Sequence, residues 1–203
     1  MAARILAALI AAVAWIGLAT QFRASLAALH TVPATLWAML LYFTVITNLL
    51  VAVMFTAFAL RLSRIATPFS LGGVTIAILL VGIVYNTLLK GLVELSGGAK
   101  LADAINHSVT PVTVTLFWLF VADKGRLGKW APIQWAGFPL LYFVYALARA
   151  SLDGKYPYPF MNVEQLGWPQ TLANAAIMAL GFMAVGFAMR WLDRRLAPKV
   201  VTD

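Results

Sequence analysis

Six long apolar runs, separated by short polar connections, make up almost the whole chain. They cover residues 5–22, 34–60, 69–93, 101–122, 132–151 and 168–191. Each run has room for the roughly 17–25 residues of a transmembrane helix, whereas the short alternating segments of an outer-membrane barrel are absent. We therefore predict an all-α integral membrane bundle of six transmembrane helices that forms one domain over residues 1–203.

Composition favours a membrane protein over a soluble one. Of the 203 residues, 63% are hydrophobic and 11% are charged, and the mean hydropathy is +0.89. A soluble domain is about 45–50% apolar and about 25% charged. The chain has no cysteine, which excludes disulfides and thiolate chemistry. Its net charge of +8 is carried between the apolar runs, as membrane topology requires, so we predict no binding of nucleic acid.

Lysine and arginine are unevenly distributed between the two ends of the runs. Ten of them lie at one set of ends and five at the opposite set. Because cytoplasmic loops carry the excess of basic residues, both termini are predicted to be cytoplasmic. The first run also resembles a signal peptide, but no clean small-residue cleavage site precedes Arg23. We therefore expect this run to be retained as the first span.

The fourth run encloses ionisable residues at membrane depth. Asp103 lies one helical turn before His107, and Trp118 follows on the same side. Ionisable groups are costly inside a bilayer, so His107 marks a candidate functional site. Pro111 has no N–H for the carbonyl of His107, so we expect a bend and a free acceptor beside the imidazole. An equally open interpretation makes Asp103 a helix N-cap or first-turn carboxylate.

The second run carries a polar stripe. Thr44, Thr47 and Asn48 are spaced i, i+3 and i+4, so they share one helix face. Hydrogen bonding between helices is the simplest explanation of such a stripe, and Asn86 in the third run is either a similar group or a substrate contact. At 1.5 Å per residue from the outer ends of their runs, Thr44 and His107 lie within about 6 Å of one level, in the outer half of the membrane.

The long connection between the fifth and sixth runs contains aromatic residues stiffened by prolines. It is either an anchor at the membrane surface or a lid over a cavity. Arg149, at the predicted outer end of the fifth run, is suited either to bind an anionic head group or to extend to the interface. The candidate substrate-binding residues are Arg149, Tyr156, Tyr158, Phe160 and Trp118.

Three motifs, in order along the chain, resemble a known family. FTVITNLLVAV, NHSVTP and YPYPF resemble segments of the androgen-induced and androgen-dependent TFPI-regulating membrane proteins and their bacterial relatives. The resemblance covers most of the chain and implies a transmembrane threonine hydrolase that cleaves fatty acid esters of hydroxy fatty acids. It implies that Thr44 is the nucleophile and His107 its partner, and that the membrane is a bacterial inner membrane. The animal members have a second histidine where this chain has Ala104, so the substrate is not carried over.

The residue types suit this chemistry in outline. A threonine hydroxyl becomes a nucleophile when a neighbouring base removes its proton. Neutral His107 is a suitable base, and Asp103 is placed to hold its other ring N–H. Asn48, Thr47 and Asn86 are candidate donors to an oxyanion. We therefore predict an intramembrane lipid ester hydrolase, with an amphiphilic acyl ester as substrate, membrane lipids as partners, and neither cofactor nor metal.

The sequence is also compatible with two functions other than hydrolysis. In the first, the protein is a non-catalytic six-helix membrane protein for transport, lipid binding or interaction, and the Thr/His/Asn cluster is structural or lines a path. In the second, His30 and His107 hold a haem, but two isolated histidines are a weak indication of haem ligation. The absence of a repeated hydropathy pattern argues mildly against an inverted-repeat transporter.

Overall fold

Every regular element of the computed structural model is helical over residues 1–198, which are the residues that the structure describes. The α-helices are α1 (Ala2–Leu29), α2 (Val32–Met39), α3 (Phe43–Ala59), α4 (Pro68–Val84), α5 (Gly97–Ala104), α6 (Thr110–Phe120), α7 (Ala131–Asp153) and α8 (Val163–Arg195). Two π-helical turns, Tyr85–Leu89 and Ile105–Val109, and a 3-10 turn, Pro159–Met161, complete the described elements. The all-α prediction is confirmed for these residues.

Several helices are long and apolar enough to cross a membrane. They are α1, the stretch Pro68–Leu89, α7 and α8, and the bent pair α2–α3 makes a fifth if it is one span. Large apolar side chains such as Ile16, Leu141 and Ile177 are exposed on these helices, as contact with lipid requires. The structure therefore indicates a membrane protein with four or five candidate spans, and the count of six stays a prediction.

The second apolar run is not one continuous helix, contrary to the prediction for residues 34–60. The chain between α2 and α3 is not α-helical, and the axes of the two helices differ by 96°. Tyr42, directly before α3, is extended, with φ −90° and ψ 130°. Because the residues at the break are themselves apolar, hydropathy cannot detect it. Thr44 is consequently the second residue of α3 rather than about ten residues into a span.

Unit 1, residues 1–122, is one of two compact units in the chain. In it, α1 packs along α3 and α5, while α4 packs against α3 and α6. Two glycines allow close approach: a Cβ on Gly17 would overlap Asn106 Oδ1, and one on Gly82 would lie 2.8 Å from Pro111 Cβ. Small residues commonly permit such close helix packing in membranes. As a result, α1 and α4 both reach the helical stretch that carries the fourth predicted run.

Unit 2 comprises residues 123–203, of which 123–198 are described. Its helices α7 and α8 pack together, and α8 is interrupted at Gly167, where φ is 73° and ψ is 161°. The last predicted run begins one residue after this interruption. Residues 199–203 lie outside the described part. Lys199, one of the ten basic residues at the predicted cytoplasmic ends, is among them. The prediction of a single domain over residues 1–203 stays a prediction.

Candidate functional site

An aspartate, a tyrosine and a histidine form one connected group in unit 1. Asp103 Oδ1 lies 2.9 Å from His107 Nδ1, and the Tyr85 hydroxyl donates to Asp103 Oδ2 over 2.7 Å. The Tyr85 and His107 rings are stacked, with centroids 3.9 Å apart and 14° between their planes. Because a carboxylate only accepts hydrogen bonds, the His107 proton lies on Nδ1, and Nε2 carries the lone pair that a general base needs.

Asp103 is not a helix cap. Ser96 is the N-cap residue of α5, and Asp103 is the seventh residue of that helix, outside its first turn. The alternative interpretation of Asp103 as an N-cap or first-turn carboxylate is therefore wrong. Its side chain is directed instead at His107, and the exposed fractions of the His107 and Asp103 side chains are 18% and 20%. The pair is thus mostly enclosed and still partly accessible from outside the helices.

The backbone around His107 is widened into a π-helical turn. In this segment, Ile105–Val109 (the His107 turn), the N–H of Thr110 donates to the carbonyl of Ile105, five residues back. Pro111 follows at once and has no N–H to donate. The helical path continues through the proline by means of this wider turn, and the free carbonyl expected at His107 is present. π-Helical turns inside α-helices occur frequently at functional sites.

Two asparagines from other helical segments satisfy the free carbonyls of the His107 turn. Asn48 Nδ2 donates to the carbonyl of Thr44 at 2.9 Å and to that of Asn106 at 3.2 Å. Asn86 Nδ2 donates to the carbonyl of Gly82 at 2.9 Å and to that of His107 at 3.3 Å. Both amides were candidate oxyanion donors, but each of them already donates to two backbone acceptors. To stabilise an oxyanion, either amide would have to leave one of these carbonyls.

Thr44 lies in the first turn of α3, directly after the bend. Its side chain is buried, with a relative exposure of 9% for the residue. The N-terminal N–H groups of a helix have no acceptor within the helix, and the helix dipole favours negative charge there. This position therefore favours a negative charge, either on the hydroxyl oxygen of Thr44 or on an oxyanion bound beside it.

The amide of Asn48 links the backbone segments that carry Thr44 and His107. The amide of Asn48 bridges the carbonyl of Thr44 and the carbonyl of Asn106, the residue before His107. Among residues 1–198, however, no hydrogen bond joins the Thr44 hydroxyl to the His107 ring. The shared depth that was predicted from residue counting assumed an unbroken helix, so that reasoning was wrong. The pairing of the two side chains in catalysis stays a prediction.

Buried oxygens without a partner are concentrated around this place in unit 1. They belong to side chains that are at most 2% exposed, namely Thr47 Oγ1, Asn48 Oδ1, Asn106 Oδ1 and Thr110 Oγ1. Buried polar atoms are usually hydrogen-bonded, so such exceptions need an explanation, for instance a ligand or an ordered water. Of the three predicted oxyanion donors, only Thr47 has a side-chain donor that is not already engaged.

The sequence reasoning missed Tyr85 and Asn106 as parts of the site. Tyr85 was visible only as an aromatic residue near the end of an apolar run. Its distance of 18 residues from Asp103 has no helical meaning, because the two lie on different helical segments. Asn106 adjoins His107 in the sequence, and a polar residue beside a buried histidine was the available signal.

Trp118 is remote from His107. It is buried on α6, with a relative exposure of 4%. Eleven residues separate it from His107 along consecutive helical segments, which corresponds to about 16 Å at 1.5 Å per residue. Its neighbour Phe117 makes edge-to-face contacts with Phe55 and Phe58 of α3. Trp118 therefore lies about three helical turns from the histidine along the chain.

The remaining candidate residues lie in unit 2. Arg149 is buried, and its Nη1 donates to the Tyr145 hydroxyl at 2.8 Å. Its Nη2 lies 3.7 Å from Asp153 Oδ2. Tyr158 and Phe160 stack with ring centroids 5.2 Å apart, and Asn174 donates to the carbonyl of Phe160 at 3.0 Å. Tyr156, also in this connection, is partly buried. The connection between α7 and α8 is therefore still either an anchor at the membrane surface or a lid over a cavity.

Within the described residues, no three His, Cys, Asp or Glu side chains are grouped closely enough to hold a metal ion. Comparison of the chain with protein-family models, with curated proteins and with solved structures gave no match.

Proposed function

We propose that this protein is an intramembrane ester hydrolase in which Thr44 is the nucleophile and His107 the general base. The observation that carries the proposal is the Tyr85–Asp103–His107 group, which fixes the proton of the imidazole on Nδ1. This is the arrangement by which a third group orients the base in catalytic triads. The π-helical turn and the unpartnered oxygens beside it are further features typical of a site that binds a ligand.

In the proposed reaction, His107 Nε2 accepts the proton of Thr44 Oγ1 as that oxygen attacks the ester carbonyl. The resulting tetrahedral oxyanion collapses, the C–O bond to the alcohol breaks, and His107 returns the proton to the leaving alkoxide. A water molecule, deprotonated by the same nitrogen, then attacks the acyl-threonine. The bond between the acyl carbon and Thr44 Oγ1 breaks, His107 returns the proton to Oγ1, and the fatty acid is released. The hydrogen bond between Thr44 and His107 forms in the substrate complex, since catalytic hydrogen bonds often tighten only there.

Charge on the tetrahedral intermediate is stabilised at the start of α3. The N-terminal end of a helix attracts negative charge, and Thr47, one turn further on, supplies a hydroxyl without a partner. Asn48 and Asn86 are engaged with backbone carbonyls, so they contribute indirectly. The proposed substrate is an amphiphilic acyl ester, such as a fatty acid ester of a hydroxy fatty acid, as the resemblance to the threonine hydrolases implies.

The proposed setting is a bacterial inner membrane, with six spans and both termini in the cytoplasm. Residues 97–120 support counting the fourth apolar run as a further span, which brings the count to six, because α5, the His107 turn and α6 follow one another without a gap. Twenty-four helical residues extend about 36 Å, enough to cross the hydrocarbon layer. Reporter fusions after Arg61 and Lys129 are expected to be cytoplasmic and a fusion at Gly154 external. An external C-terminus would contradict this topology.

Covalent labelling of the detergent-solubilised protein by a fluorophosphonate tests the proposed chemistry. We expect the wild type and Thr44→Ser to be labelled, because both carry a hydroxyl at the position of attack. Thr44→Val, which has the same shape without the hydroxyl, should not be labelled. Thr75→Val is the matched control, since Thr75 is buried on α4 and its hydroxyl donates to Leu71 within the same helix. Equal labelling of Thr44→Val and wild type would reject Thr44 as the nucleophile.

A non-catalytic role for the cluster is the second candidate function. It is favoured by the engagement of Asn48 and Asn86 with backbone carbonyls and by the absence, within residues 1–198, of a Thr44–His107 hydrogen bond. In that case the polar groups only join helices, as threonine and asparagine commonly do in membranes. A wild-type protein that remains folded but resists labelling by the fluorophosphonate would support this alternative.

A further inference from the structure

We infer that Pro111, Asn86 and Asn48 together form a positioning device for His107: the π-helical turn and the proline that follows it leave two consecutive carbonyls free, and the two asparagines bind them. The inference rests on the proposed function, because it assigns these residues to the placement of the general base. The sequence suggested separate roles for Pro111, as the cause of a bend, and for the two asparagines, as oxyanion donors. The inference gives all three residues one common role.

The first part of the device is the missing N–H at position 111. In an α-helical register, this N–H would donate to the carbonyl of His107, four residues back. The N–H of Thr110 donates to the carbonyl of Ile105, five residues back, so it does not serve the carbonyl of Asn106. Since proline has no N–H, the carbonyl of His107 lacks its donor as well. Two adjacent carbonyls of the His107 turn therefore need donors from elsewhere.

The second part is a pair of side chains that supply those donors. Asn48 donates to Asn106 O and Asn86 donates to His107 O, and each amide also donates to the carbonyl four residues before it on its own segment. A primary amide has two N–H groups, so both amides are fully used as donors and fixed in orientation. The His107 turn is consequently attached to α3 on one side and to the end of the α4 segment on the other.

The third part is packing that leaves room for this attachment. A Cβ on Gly82 would lie 2.8 Å from Pro111 Cβ and 3.5 Å from the carbonyl oxygen of His107. Only glycine therefore lets α4 come close enough for the amide of Asn86, one turn later, to reach that oxygen. Tyr85 precedes Asn86 and stacks on the imidazole, so the same short segment holds both the backbone and the ring of His107.

A suppressor experiment tests the device, because Pro111→Ala restores the N–H that the proline lacks. Asn86→Leu removes the donor to His107 O at nearly constant volume, and we expect it to lower the apparent Tm in detergent by about 3–9 °C. In Asn86→Leu/Pro111→Ala, alanine 111 can donate to His107 O, so most of this loss should be recovered. For fluorophosphonate labelling, Asn86→Leu should lower kinact about tenfold with KI nearly unchanged, and the double variant should restore kinact.

Matched controls separate suppression from a general stabilising effect of alanine. Pro139→Ala replaces a proline inside α7 and should not rescue Asn86→Leu. Asn174→Leu removes a comparable amide donor to a backbone carbonyl, that of Phe160, and Pro111→Ala should not rescue it. Simple addition of the Tm losses in Asn86→Leu/Pro111→Ala, or a change in KI alone, would overturn the inference.

The outcomes also distinguish this inference from the proposed function. Rescue of both Tm and kinact supports the device and its action through His107. Labelling of the wild type without rescue of either quantity rejects the device and leaves the hydrolase proposal in place. Rescue of Tm in a protein that is never labelled rejects the hydrolase, and with it the assignment of the device to a catalytic base.

Discussion

The side chain of His107 and the N-terminal part of α3 around Thr44 differ in how completely their polar groups are satisfied. At the His107 turn, the imidazole contacts Asp103 and Tyr85, and the backbone carbonyl accepts from Asn86. At the start of α3, Thr44 is buried beside polar oxygens that have no partner, such as those of Thr47 and Asn48. His107 is thus held in its orientation before a substrate binds, whereas the polar side chains near Thr44 still have unused hydrogen-bonding groups.

This difference is what the proposed reaction requires of the two places. A base whose tautomer and orientation are fixed loses little entropy when it accepts a proton. An unused donor near the nucleophile, such as the Thr47 hydroxyl, can bind an ester carbonyl and its developing charge. Four substitutions test this contrast.

Removing the base should have the largest effect. His107→Gln keeps a polar side chain but loses the nitrogen that accepts the proton of Thr44, so the labelling rate should fall about 10²–10⁴-fold. His30→Gln is the matched control: His30 is exposed after α1, and its substitution should leave the rate unchanged. An equal loss in both variants, or none in His107→Gln, would remove His107 from the proposed mechanism.

Filling the space at Gly17 should destabilise the His107 turn from the side of α1. In Gly17→Ala, the new methyl group would overlap Asn106 Oδ1 and lie 2.6 Å from Ile105 Cγ2. Overpacking of this kind costs about 1–3 kcal/mol, which thermal denaturation in detergent can detect. Gly98→Ala is the control, because its methyl group would meet only Thr20 Cγ2, at 3.7 Å. Equal stability of the two variants would show that α1 does not support the turn.

Removing the Tyr85 hydroxyl tests whether the Asp103 carboxylate must be held. Tyr85→Phe retains the ring that stacks on His107 but loses the hydrogen bond to Asp103 Oδ2. Hydrogen bonds to charged groups contribute about 1.5–3 kcal/mol, so we expect a loss of roughly tenfold in kinact and little change in KI. If instead KI rises and kinact is constant, Tyr85 contacts the ligand and does not act through Asp103.

Neutralising Arg149 should have the smallest effect. In Arg149→Gln, we expect KM for a long-chain ester with a free carboxylate to rise about two- to fivefold, with kcat nearly unchanged, because the charge proposed to bind that carboxylate is lost. The same ester without a carboxylate should be cleaved alike by both proteins. Arg64→Gln, on the predicted cytoplasmic side, is the control for a general change in charge. Equal cleavage of both esters by the wild type would exclude recognition of an anionic head group.

The helical fold could be predicted from sequence, because apolar runs of 17–25 residues leave few other structures. The break before α3 could not, since residues 40–42 are as apolar as the helices on both sides. Hydropathy detects burial in lipid but not a change of direction between two equally apolar segments. The position of Thr44 within its helix was therefore predicted wrongly, although the polar stripe included the residue and the resemblance implied its role.

The contact between Asp103 and His107 was expected because a spacing of four residues has a meaning within one helix. The contacts of Tyr85, Asn48 and Asn86 depend on which helices are neighbours, and spacing along the chain does not encode that. Pro111 gave a partial signal, because its missing N–H implied a free carbonyl at His107. The sequence could not show which side chain from another helix would bind that carbonyl.

The most direct test of the central claim is to locate the covalent adduct. Wild-type protein is treated with the fluorophosphonate in detergent, digested, and mapped by tandem mass spectrometry. The account predicts one phosphonylated residue, Thr44, and no adduct in protein that was unfolded before treatment. An adduct on another residue, such as Thr47 or Ser108, or no adduct on the folded protein, would contradict the claim that Thr44 is a nucleophile activated by His107.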